Sequence, residues 1–163
     1  MKILDLSAGN RAIWFNRNHP NATYIDIRSE VNPDICCDSA DLPFAAGEFD
    51  LVVFDPLHKN FSGNIGFGRC YGPAQSMGDI RSTIKGTARE AWRVTGPNGL
   101  MAYKWSDADL KLTKVVGLLA PWWEPLFGHG HRPQQRQRGM TSWVMLMRTA
   151  GESNFALQGE RAA

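Results

Sequence analysis

Hydrophobic and polar positions along the chain fall into two kinds of pattern. Short apolar runs bounded by turn residues read as buried strands at Lys2–Leu6, Ala22–Ile27 and Asp34–Cys37. The densest run, Phe-Asp-Leu-Val-Val-Phe, covers Phe49–Phe54 and stops at Asp55-Pro56. From Asp79 to Val94 the spacing changes, with Ile80, Ile84, Ala88, Ala91 and Trp92 recurring at helical intervals and Asp79 suited to the first turn. Arg11–Asn16 reads as a short helix after the turn Ser7-Ala8-Gly9-Asn10. Gly96-Pro97-Asn98-Gly99 is a turn and Leu100–Trp105 another strand. Ser106 is placed to cap a helix from Asp107 to Leu119. Trp123–Gly128 and Thr141–Arg148 read as a closing antiparallel pair.

Strands alternating with helices predict an α/β fold: three layers, doubly wound, around a mostly parallel seven-stranded sheet whose last strand is antiparallel. Residues 1–148 form one domain in this reading, and 149–163 a polar tail that frays. In such sheets ligands sit at the carboxyl ends of the strands. Asp5 to Gly9, Asp26, Asp38, Asp55 to His58 and Lys104-Trp105 all fall there.

Composition narrows the class without naming a chemistry. The chain has 163 residues, 43% apolar and 21% charged, the balance of an ordinary globular domain. Nothing approaches the roughly 18 apolar residues of a membrane span, and charges at Lys2 and Asp5 argue against a secretory signal, so a cytoplasmic protein is expected. Three cysteines, two of them adjacent (Cys36 and Cys37), make neither a disulfide framework nor a zinc ligand set, and no metal is expected. A net charge of +2 conceals an asymmetry: eight acids against Arg28 from Asp26 to Asp55, then thirteen Lys or Arg against five acids from Pro56 to Arg148. Such a basic second part suits an anionic partner, and chance segregation of solvated charges gives the same count.

Four segments carry candidate chemistry. In Ile3-Leu4-Asp5-Leu6-Ser7-Ala8-Gly9, small residues after a strand let backbone approach a ligand, and a following helix would offer free N–H groups; an ordinary strand-to-helix turn has the same composition. It carries neither Gly-x-Gly-x-x-Gly nor the Gly-Lys-Ser/Thr of a phosphate loop. Asp26 lies where an acid can accept both hydroxyls of a ribose, or simply ends a strand in solvent. In Asp38-Ser39-Ala40-Asp41-Leu42-Pro43-Phe44, Asp38 can accept from an adenine amino group between Leu42 and Phe44; the same residues also make a loop anchored by two hydrophobes. Asp55-Pro56-Leu57-His58 matches a specific need. An amino nitrogen on a base is a poor nucleophile, because its lone pair is delocalised into the ring. Two acceptors, here the Asp55 carboxylate and the Pro56 carbonyl, favour its pyramidal form, and His58 is flat enough to stack on an extruded base. A strand-ending turn beside a packing histidine is the plainer alternative.

In order and spacing these segments resemble the class I (Rossmann-like) S-adenosylmethionine-dependent methyltransferases, over nearly the whole length from Lys2 to Arg148. The family's hydrophobic-hydrophobic-Asp-x-Gly-x-Gly motif falls on Ile3 to Gly9, with Ser7 in place of the first glycine. Its Asp-Ala-x-x-Leu-Pro-Phe stretch falls on Asp38 to Phe44, and its Arg-Val-Leu-x-Pro-Gly-Gly turn on Arg93 to Gly99. Asp55-Pro56-Leu57-His58 resembles the Asp-Pro-Pro-aromatic motif of amino-group methyltransferases acting on nucleic acids, with Leu57 departing from the second proline. The resemblance implies S-adenosyl-L-methionine as cofactor, held by Asp5, Ser7, Gly9, Asp26, Asp38 and Ser39. It also implies a catalytic set of Asp55, Pro56 and His58, and direct in-line transfer to an exocyclic amino group of DNA or RNA, with DNA favoured.

Substrate contacts are expected from the acid-free, glycine-rich stretch Pro56 to Gly78, through Lys59, Phe61, Arg69 and Tyr71. They are also expected from Lys104, Trp105 and Arg132; a snorkelling lysine beside a packed tryptophan fits Lys104-Trp105 as well. With no separate recognition domain, specificity comes from loops, a homodimer or a partner. A small-molecule methyltransferase and a non-catalytic binding subunit of the same fold are the competing readings.

Overall fold

The computed structural model describes residues 1–56, 76–131 and 140–151. His58, Lys59, Phe61, Arg69, Tyr71 and Arg132, together with most of the expected tail, lie outside them. The strands are β1 (Ile3–Asp5), β2 (Ala22–Asp26), β3 (Ile35–Cys36), β4 (Phe49–Phe54), β5 (Thr95–Ser106), β6 (Trp123–His131) and β7 (Thr141–Arg148). Among the described residues the α-helices are α1 (Met77–Val94) and α2 (Leu112–Leu119), and Ser29–Val31 forms one turn of 3-10 helix. The strands form one seven-stranded sheet in the order β3-β2-β1-β4-β5-β7-β6. Pairing is parallel from β3 through β5, and β7 runs antiparallel between β5 and β6. This is the doubly wound sheet with an antiparallel last strand that the sequence predicts.

Chain direction decides which face each connection covers, because parallel crossovers are right-handed. The connections that step from β4 to β5 and on to β6 carry α1 and α2, which pack on each other on one face. Leu4, Ile25, Val52, Phe54, Met101, Tyr103 and Trp105 point from the sheet into that layer and meet Ile80, Ile84, Ala88, Val115 and Leu119. Residues next to them along each strand face the other side. There Tyr24 takes the edge of Trp14 at 5.1 Å and the guanidinium of Arg11 at 4.0 Å.

The helix expected over Arg11–Asn16 does not form. The connection from β1 to β2 is a series of turns among the described residues. Gly9 and Arg11 both have positive φ (+49° and +54°), which stops a right-handed helix before its first turn closes. The Arg11 side chain instead bonds across the loop to Arg17 O, Asn18 Oδ1, Asn32 O and Asp34 Oδ1. α1 starts two residues earlier than its spacing indicates. Ser76 closes a capping box in which its Oγ accepts from the Asp79 N–H and Asp79 accepts from the Ser76 N–H. Ser106 is the last residue of β5 rather than a cap, and α2 begins only at Leu112, after Lys111. The turn at Gly96–Gly99 survives as an irregularity inside β5, where pairing with β4 jumps from Phe49–Thr95 to Leu51–Leu100.

Candidate active site

Three carboxylates end strands at one edge of the sheet. Asp5 ends β1 and is fully buried. One of its oxygens accepts the Trp14 Nε1–H at 2.7 Å and the other the Ser7 N–H at 3.1 Å. Burial pushes its carboxyl up to about 6 against the pull of those bonds, and the charges of Asp55 and Asp26 push the same way.

Asp26 ends β2. Its Oδ2 accepts the Gly9 N–H at 2.9 Å, which ties the acid to the small-residue turn. Arg28, two residues on, encloses the rest of the carboxylate: Nε donates to Oδ1 at 2.9 Å, Nη2 to Oδ2 at 3.0 Å, and the backbone N–H to Oδ1 at 3.0 Å. Burial opposes the charge, but these bonds outweigh it and hold the Asp26 carboxyl below its usual range. Nη2 lies 3.5 Å from where a Cβ on Gly9 would stand, so the guanidinium rests over the turn.

Asp55 follows β4. Its backbone N–H donates to Ser7 Oγ at 2.9 Å, so the serine in the first-glycine position of the β1 turn fastens that turn to the end of β4. Lys104 Nζ, from β5, donates to Asp55 Oδ2 at 2.6 Å. Asp55 Oδ1 is buried and has no hydrogen-bond partner among the described residues. The Tyr103 hydroxyl is the other such side-chain atom among the described residues, and burial beside the Asp55 charge pushes its phenol well above the ordinary range. A buried acceptor without a donor is costly, and native proteins leave few of them.

The Asp38–Phe44 segment is fixed to α1. Ser39 Oγ lies 2.8 Å from Thr87 Oγ1, and the exposed Asp38 accepts the Ala40 N–H on Oδ1 at 2.8 Å. Arg93 donates to Phe44 O at 2.8 Å and Leu42 O at 2.9 Å while held bidentately by Glu90. Gly86 gives Ala40 room, since a Cβ there would meet the Ala40 Cβ at 3.0 Å.

The structure thus brings Asp5, Ser7, Gly9, Asp26, Asp55 and Lys104 to the strand ends, with Pro56 buried beside Asp55 and Asp38 and Ser39 on the adjoining loop. Trp105 does not join them. It is fully buried on the helix-covered face, stacks with Tyr103 at 6.1 Å and donates its Nε1–H to Leu110 O at 2.7 Å. Neighbouring residues on a strand face opposite ways, so Lys104 and Trp105 cannot serve one pocket. Trp14 and Arg28 enter the site without having been singled out. A cation two residues beyond a strand-end acid was the available signal for Arg28.

Beyond Lys104 the sheet presents Trp143, its register partner on β7, with Nζ 6.0 Å from the indole centre. Trp143 also lines a groove of about 840 Å³ between α2 and β6, together with Leu112, Val116, Phe127 and Met140.

No family model matches the chain, and no curated protein sequence matches it. Solved structures do. A S-adenosylmethionine-dependent methyltransferase from Methanosarcina mazei is 12% identical with a TM-score of 0.58, over 90% of this chain and 91% of that one. The N-methyltransferase NodS from Bradyrhizobium japonicum, solved with S-adenosyl-L-homocysteine, is 13% identical with a TM-score of 0.60, over 91% and 78%. The 1,6-didemethyltoxoflavin-N1-methyltransferase of Burkholderia thailandensis, solved with its substrate and S-adenosylhomocysteine, is 14% identical with a TM-score of 0.58, over 90% and 70%. At these identities the likeness establishes the Rossmann-like methyltransferase fold.

Proposed function

We propose that the chain is an S-adenosylmethionine-dependent methyltransferase that acts on an exocyclic amino nitrogen of a nucleic-acid base. The observation that carries this reading is Asp55 Oδ1, a buried acceptor without a donor at the end of β4, on a residue whose backbone is clamped by Ser7. An amino N–H supplies the missing donor, and the acceptor draws the nitrogen towards its pyramidal, nucleophilic form.

The residues fit the cofactor on charge and shape. With Asp26 paired to Arg28 and Asp55 to Lys104, Asp5 is the acid of the three without a cation among the described residues, which suits a ligand with a positive sulfur and a positive amine, and Gly9 keeps the turn thin. Asp26 would hold the ribose hydroxyls after exchanging Arg28 for them, with Asp38 and Ser39 at the base. When bound, the cofactor supplies a methyl group on a cationic sulfur, which departs as a neutral thioether as the N–CH3 bond forms. The amino proton leaves through Asp55 to water. The chain contributes alignment, an acceptor and a low-dielectric wall.

Incubating the protein with radiolabelled S-adenosylmethionine and DNA or RNA pools tests this. Label on the bases in the wild type and none with Asp55→Ala supports it; undiminished label with Asp55→Ala sinks it. A small-molecule amine is the second reading, favoured by the fold neighbour solved with 1,6-didemethyltoxoflavin, a small molecule that its name gives as N-methylated. Its mark is turnover insensitive to salt, because phosphate contacts weaken steeply as salt rises.

A further inference from the structure

The Asp55–Lys104 pair does more than neutralise a carboxylate. We propose that it reads a donor–acceptor edge: the substrate's amino group lies next to an unprotonated ring nitrogen, as in adenine and cytosine. This rests on the reading above that the methyl acceptor is an amino nitrogen on a base, and it assigns Lys104 the task of choosing which amines qualify.

A carboxylate offers acceptors only, and an ammonium offers three donors and no acceptor. Lys104 Nζ, 2.6 Å from Asp55 Oδ2, uses one donor there and keeps others, while Asp55 Oδ1 has no partner. The pair therefore sets a donor beside an acceptor. An asparagine or glutamine amide makes the same arrangement when it recognises adenine, donating to a ring nitrogen and accepting from the amino group. With an amino N–H on Oδ1, the adjoining ring nitrogen falls to Nζ. Trp143 supplies a flat neighbour: its indole centre is 6.0 Å from Nζ and the residue is 38% exposed. The arrangement selects against alkyl amines, which lack the neighbouring acceptor, and against uracil and thymine, which lack the amine. A site built to bond a group discriminates strongly against an analogue without it, since its own polar atoms are then left unpaired.

The test replaces the ring nitrogen and then the lysine. Random-sequence single-stranded DNA and RNA pools are prepared with adenine replaced throughout by 1-deazaadenine or 7-deazaadenine, or cytosine by 3-deazacytosine. Methyl transfer and retention on immobilised protein with S-adenosylhomocysteine are both measured. The wild type should lose at least tenfold, in transfer and retention, when the ring nitrogen it reads is replaced by carbon. Lys104→Met, which keeps the stem and removes the donors, should use parent and analogue pools equally while binding S-adenosylmethionine as the wild type does. Lys104→Arg should restore part of the preference. Equal transfer by the wild type to every deaza pool overturns the inference and leaves the proposed function standing, as does a Lys104→Met enzyme that still discriminates. Transfer to guanine alone, outside the two bases named, overturns the inference and leaves the proposed function standing, and transfer to no base amine in any pool removes both.

Discussion

Asp26 and Asp55 stand at the ends of strands on either side of β1, and the chain treats them in opposite ways. Asp26 receives four hydrogen bonds, all from residues local to the acid or to the turn beside it. Asp55 receives one, from a lysine 49 residues away on the next strand, and keeps an oxygen without a partner. A saturated acid can bind a ligand only by exchange, so its affinity is the ligand's contacts less those of Arg28. A half-satisfied acid gains by binding, because a buried acceptor finds its donor. In the proposed function Asp26 is therefore the competitive end of the site and Asp55 the incomplete one.

The sharpest way to break that comparison is at the incomplete end. Asp55→Asn should lower methyl transfer by about 10²- to 10³-fold, the usual effect of losing one charge-stabilising group, while calorimetric affinity for S-adenosylmethionine changes less than twofold. If both fell together, the two ends would be one site.

Asp5, between them, tests the shared electrostatics. Its carboxyl is raised to about 6 in the folded chain from 3.8. The folded state therefore holds the proton more tightly, and this group's contribution to stability is fully present below pH 4 and lost as pH climbs to 6, by about 3 kcal/mol. Asp26 and Glu90, whose carboxyls are lowered, contribute the opposite slope at lower pH. The measurement is the difference in denaturant midpoint between wild type and Asp5→Asn across that range. A difference independent of pH would show that folding leaves the proton affinity of Asp5 unchanged.

At the competitive end the two partners should move affinity in opposite directions. Asp26→Ala should weaken cofactor binding roughly tenfold, the scale of a lost hydrogen bond to a charged group. Arg28→Gln should tighten it several-fold by removing the competitor. Weaker binding in both would make Arg28 a ligand contact instead. The smallest effect is remote from both: Ser76→Ala should cost about 1 kcal/mol of stability through the lost cap of α1, seen in thermal unfolding, with transfer per folded molecule unchanged.

What could be read in advance follows from the range of the forces involved. β4 and β7 were legible to the residue, because a buried strand is declared by its own composition. The strand-end acids Asp5, Asp26 and Asp55 were legible by position alone. The helix at Arg11–Asn16 and the cap at Ser106 were misplaced, since a positive φ at Arg11 and the length of β5 depend on partners far along the chain. Trp105 sits next to Lys104 in sequence, but strand alternation sets it on the opposite face, away from the pocket. The Asp55–Lys104 contact joins two strands, and no local pattern announces it.

One hydroxyl has consequences for the order of events. Because Ser7 Oγ holds the Asp55 amide, the turn and the residue to which the proposed function gives two different ligands are joined directly. Whatever free energy the first ligand gains by settling that turn is reflected in the affinity for the second, and reciprocity requires an equal effect in the reverse direction. Ser7→Gly, which restores the glycine found at this point in the resembling motif, should uncouple the two without removing either site. Ligand titrations made singly and together would then become additive.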